Sequence, residues 1–66
     1  MDVHVNGEPR PLPPGATIST LLESLGLSRQ ACAVEVNKEL VPKSKHPSRE
    51  LAAGDRVEVV TLVGGG

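Results

Sequence analysis

The chain has 66 residues, enough for one domain that buries roughly 60% of the surface its unfolded form exposes, which excludes an active site walled off inside its own core. It is 38% apolar and 23% charged with no Phe, Tyr or Trp, so nine Val, eight Leu and one Ile must build the core. Stacking platforms for single-stranded nucleic acid and aromatic cages for cations are excluded. Seven basic and eight acidic side chains give a net charge of −1 with no basic stripe, and no nucleic-acid partner is expected.

Asp2 to Asn6 alternates Val3 and Val5 with polar residues, the period of a half-buried strand. Asn6-Gly7 favours positive φ at both centres of a type I′ turn, so a hairpin follows, returning through Arg10-Pro11-Leu12. Pro9 and Pro11 cannot donate ladder hydrogen bonds and assign that return strand to a sheet edge. From Thr17 to Leu25, the residues Ile18, Leu21, Leu22 and Leu25 form one apolar helix face. Thr17 is its expected N-cap and Gly26 its left-handed stop, with Leu27 folding back on Leu22. Leu21 and Leu25 are expected in the core.

Ala31 to Val36 predicts a third strand, Asn37-Lys38 a turn, and Leu40-Val41 a short extended piece. Pro42 to Glu50 is polar with two prolines and reads as a surface loop, and Leu51 as a lone apolar plug. The last strand is expected over Val57 to Val63, before Gly64-Gly65-Gly66. The fold class is therefore α+β: a mixed sheet of four to five strands packed on one helix, a single domain over 1–66 with a flexible tail at 64–66. A central, parallel pairing of the first and last strands would make it a β-grasp.

The hairpin with Asn6-Gly7, the block GATISTLLESLGL from Gly15 to Leu27, AVEVNKELVP from Ala33 to Pro42, and LAAGDRVEVVTLVGGG from Leu51 to Gly66 together resemble the ThiS family. These are the sulfur carrier proteins of thiamine biosynthesis, within the ubiquitin-like β-grasp group. The resemblance implies a protein co-substrate and not an enzyme. A ThiF-like E1 adenylating enzyme would activate Gly66 with ATP. A cysteine desulfurase relay would convert it to a thiocarboxylate, and a ThiG-like thiazole synthase would take the sulfur into the thiazole ring. The carrier itself needs no cofactor. It is expected to be monomeric when free.

Physical chemistry supports the same division of labour. Three glycines have no side chains to pack and high backbone entropy, and extended they reach about 10 Å, so Gly64 and Gly65 form an access arm for Gly66. A carboxylate must be activated before it accepts sulfur. The chain has no Walker-type loop and no Cys/His set at metal-ligand spacing, so activation is assigned to a partner and no metal is expected.

Val60, Leu62 and Val63 are the expected partner-binding residues. Val60 and Leu62 lie opposite Val57 and Val59 on the last strand, and two readings of that face stand: a protein contact beside the tail, or ordinary scattered or partly covered apolar residues. Cys32 could carry a persulfide, but without a basic neighbour in sequence it reads as a small buried hydrophobe. His4 and His46 read as surface residues, and Lys43, Lys45 and Arg49 as a solvated loop cluster.

A single Cys gives no intrachain disulfide and fits a reducing, cytoplasmic setting. Asp2 directly after Met1 gives no sign of a secretory leader, and no apolar run approaches the roughly 20 residues of a membrane span. The competing functions are the small subunit of molybdopterin synthase, a sulfur donor for tRNA thiolation or conjugated modifier, and a plain β-grasp binding module. The absence of aromatic residues before the terminal glycines favours the thiamine carrier over the molybdopterin subunit.

Overall fold

The computed structural model describes residues 1–62. Among them, strand β1 (Asp2–Val5) and β2 (Glu8–Pro11) form the opening hairpin, followed by helix α1 (Ile18–Ser24), then β3 (Cys32–Val36), β4 (Glu39–Val41), a 3₁₀ turn at Lys43–Lys45, and β5 (Arg56–Thr61). The five strands make one sheet in the order β2-β1-β5-β3-β4. β1 and β5 pair in parallel at its centre, with His4 opposite Arg56 and Val5 opposite Val57, and the other pairs are antiparallel. This is the β-grasp arrangement expected from the sequence.

Both hairpins turn on two residues at positive φ: Asn6 and Gly7 at 50° and 87°, Asn37 and Lys38 at 51° and 71°. These are the φ signs that a type I′ turn requires and that match the twist of the flanking strands. β2 is an edge strand as its prolines demand. It starts at Glu8, earlier than expected, because the two-residue turn brings Glu8 directly opposite Val5. Leu12 follows the strand, still donating its N–H to Met1 O at 2.7 Å.

The helix is held at both ends by its own sequence. Thr17 Oγ1 accepts from the Thr20 N–H at 3.2 Å, and Thr20 Oγ1 accepts from the Thr17 N–H at 3.1 Å, a reciprocal capping box. At the other end, Leu27 N–H donates to Leu22 O and Gly26 N–H to Glu23 O, the Schellman pair, with Gly26 at φ 74°. The helix proper spans Ile18–Ser24, with Thr17 and Leu25 as its caps.

Ile18, Leu21, Leu22, Val3, Val5, Val34, Val36, Val57 and Val59 form the aliphatic core between helix and sheet, sealed by Leu12, Ala16 and Leu51. Leu51 is the plug the sequence indicated, and its N–H bonds Ala16 O at 2.8 Å. Leu21 is fully buried. Leu25 is only partly buried, a correction to the expected core, because as C-cap it sits at the rim of the helix–sheet interface. No helix among the described residues is long and apolar enough to cross a membrane.

The 43–50 segment departs furthest from a surface loop. A 3₁₀ turn carries His46 inward to 5% exposure. Its Nε2 lies 3.1 Å from Val41 O, and since a carbonyl only accepts, Nε2–H is the donor. The His46 carbonyl in turn accepts the Ser19 N–H at 3.1 Å, tying the segment to the first turn of α1. The buried ring thus keeps a hydrogen bond, which is what burial of a polar group requires.

Candidate functional site

Of the expected site residues, Val60 lies on β5 and Leu62 directly after it. The alternation of β5 puts Val57 and Val59 into the core and leaves Val60 on the opposite face at 58% exposure, with Leu62 beyond the strand at 51%. The expected strand ran to Val63, whereas β5 spans Arg56–Thr61. Val63, Gly64, Gly65 and Gly66 lie outside the described residues. Val60 is paired across the ladder with Ala33 of β3, and Leu62 N–H donates to Ala31 O at 2.8 Å. The outer sheet face therefore carries exposed aliphatic side chains beside the point where the chain runs on to its glycines.

A third exposed aliphatic residue, Leu40, stands at 68% exposure on β4, opposite Glu35, which itself faces Glu58 on β5. In the sequence Leu40-Val41 reads only as a short extended piece, two adjacent apolar residues with no alternation to say which faces outward. Only the strand order places it on the same sheet as Val60.

On the helix side, Cys32, His46, Lys43, Gln30, Ser28 and Glu23 line an open cleft of about 250 Å³. Cys32 is partly buried against the core and its thiol is free, as a small hydrophobe. Its surroundings differ from expectation. Lys43 and His46 have no sequence proximity to Cys32, and the fold brings them to the same cleft because β4 and the 3₁₀ turn wrap back over the start of β3. His4 is half-buried rather than fully on the surface, and Lys45 and Arg49 are exposed. No group of three or more His, Cys, Asp or Glu among the described residues is placed to hold a metal ion.

Two asparagine side chains bind β5 and were invisible as such in the sequence, where Asn6 and Asn37 read only as turn formers. Asn6 Oδ1 accepts the Val59 N–H at 2.9 Å and its Nδ2 donates to Val59 O at 3.1 Å. Asn37 Oδ1 accepts the Arg56 N–H at 3.0 Å and its Nδ2 donates to Asp55 Oδ1 at 3.1 Å. Each turn thus reaches sideways to the last strand, Asn37 at its first residue and Asn6 at Val59.

A five-stranded mixed sheet with a central parallel pair, one helix on one face and exposed aliphatic residues on the other defines a ubiquitin-like β-grasp protein. The model of the ThiS family matches residues 3–66. The sulfur carrier protein ThiS of Thermus thermophilus is 45% identical over 64 residues, covering 97% of this chain and 98% of that one. The crystal structure of a thiamine biosynthesis protein (ThiS) from Geobacter metallireducens superposes with a TM-score of 0.82 at 28% identity, each chain covered in full. A thiazole synthase of Paramagnetospirillum magneticum is 39% identical over all 66 residues, and the chain spans about a fifth of that relative's length. The chain belongs to the ThiS family, the family of the sulfur carrier proteins it resembles.

Proposed function

We propose that this chain carries sulfur for the thiazole ring of thiamine as a thiocarboxylate on Gly66. The observation that carries the reading is the family match over residues 3–66, on a fold whose central strand ends at Thr61, with two residues between it and the glycines in sequence. The chemistry divides between carrier and partners. A ThiF-like E1 enzyme joins the Gly66 carboxylate to the α-phosphate of ATP and releases pyrophosphate. The outer sulfur of a persulfide supplied by a cysteine desulfurase relay then displaces AMP, and a thiol reductant cleaves the resulting acyl disulfide, leaving the thiocarboxylate on Gly66 and a disulfide on the thiol side. A ThiG-like thiazole synthase receives the sulfur, a pairing supported by thiazole synthases that contain a stretch similar to this whole chain. The protein is a co-substrate in each step.

Docking is assigned to the outer face of β5, where Val60 is exposed, and to the exposed Leu62 after it; the sequence adds Val63 to this contact and Gly64 and Gly65 as the access arm. A side-chain-free arm fits a narrow channel that a Cβ would block. The free carrier acts as a monomer in the cytoplasm, where a free Cys32 thiol is at home.

Intact mass spectrometry tests this. The carrier is incubated with the adenylating enzyme, ATP and a sulfur source. A gain equal to exchange of one oxygen for sulfur, localised to the C-terminal peptide, is expected. Deletion of Gly66 abolishes that gain and leaves the thermal midpoint nearly unchanged. No gain in the wild-type chain would refute the carrier role.

A further inference from the structure

The parallel ladder between β1 and β5 outlasts β1. His4 N–H donates to Asp55 O at 2.8 Å and Asn6 N–H to Val57 O at 2.9 Å, and there the β1 backbone turns away into the hairpin. The next rung, at Val59, is made by the Asn6 side chain, whose amide supplies both the acceptor and the donor that a continuing backbone would have offered. On its other edge the strand is paired with β3 as far as Thr61, and Leu62 bonds Ala31 O. β5 is therefore paired on the β3 side through Thr61 and on the β1 side as far as Val59, where a single side chain makes the last rung.

We propose that Asn6 is a positioning residue for activation of Gly66: its side-chain clamp on Val59 fixes the direction in which the chain leaves the sheet. The inference rests on the sulfur-carrier reading. Four residues follow Leu62, and fully extended they span at most about 13–14 Å. A swing of about 10° at Thr61–Leu62 displaces the end of an arm that long by about 2 Å. Misplacement of a reacting group by about 1 Å can cost as much as a hundredfold in rate. With the clamp lost, pairing to β3 still keeps Val60 in register, so docking survives, while the strand end is left to twist about that one remaining edge and alignment suffers.

Asn37 provides a control of matched chemistry. It also sits first in a two-residue turn at positive φ, and its side chain also makes two hydrogen bonds, but at the start of β5. Asn6→Gly and Asn37→Gly both keep the turn's backbone conformation and remove only the side-chain bonds. ATP–pyrophosphate exchange is measured with the ThiF-like enzyme of the same organism at varied carrier concentration, alongside thermal midpoints and amide exchange at Val59.

Asn6→Gly is expected to lower kcat by about five- to tenfold with little change in KM and faster exchange at Val59. Asn37→Gly is expected to lower the thermal midpoint comparably while kcat stays within about twofold of wild type. If Asn6→Gly does not fold, Asn6→Asp is measured instead: it keeps the acceptor for the Val59 N–H, loses the donor, and is expected to lower kcat to a smaller degree. Unchanged kcat in the Asn6 variant, or an equal fall in the Asn37 variant, overturns the positioning role alone. Absence of exchange with the wild-type chain overturns the carrier reading and this inference with it.

Discussion

Val57 and Val59 are 1% and 8% exposed, while Val60, on the same strand, is 58% exposed. The inner face of the sheet is closed by α1 and contains only aliphatic side chains in its core. The outer face mixes Val60 and Leu40 with Glu35 and Glu58, two carboxylates directly opposite each other. Like charges in that position disfavour the sheet, and exposed aliphatics add nothing to the core. The inner face is shaped by folding and the outer face by something else, which the carrier reading identifies as partner contact.

The largest effect expected from breaking this contrast is on the inner side. Leu21→Ala removes a fully buried side chain and should cost about 2–5 kcal/mol, read by urea unfolding, which in a domain of this size threatens the fold itself. Val60→Asp makes the opposite test. It should change stability by less than about 0.5 kcal/mol, since the site is already in water, yet raise KM for adenylation severalfold. A Val60→Asp variant that unfolds, or one activated like wild type, would erase the distinction between the faces. The smallest effect is expected for Glu35→Lys, which turns the repulsive pair with Glu58 into an attractive one. It should stabilise by a few tenths of a kcal/mol at low salt and less at high salt, measured as a shift of the thermal midpoint.

Much of the local architecture was legible because its causes are local. Asn6-Gly7 specifies a turn, Thr17 and Gly26 specify where a helix begins and stops, and Pro9 with Pro11 specifies an edge. The burial of His46 was not legible. A histidine between lysine and proline in a polar stretch looks solvated, and only the approach of Val41 O and the Ser19 N–H gives its ring and carbonyl partners inside. Cys32 likewise gained Lys43 and His46 as cleft neighbours through packing alone. The end of β5 fell at Thr61 and not at Val63 for a related reason: a strand lasts as long as its partners, and its partner rows end at Cys32 opposite Thr61.

By itself the sequence determined the elements, the aliphatic helix face, the edge strand and the glycines that make Gly66 the candidate site, because these follow from backbone preferences and periodicity within a few residues. The tertiary structure decided that Leu40 shares a sheet with Val60, that His46 lies inside, and that Asn37 holds β5 at Arg56 and Asn6 holds it at Val59. Each of these joins groups far apart in the chain, 53 residues for Asn6 and Val59, and a contact of that span is set only when the whole sheet closes.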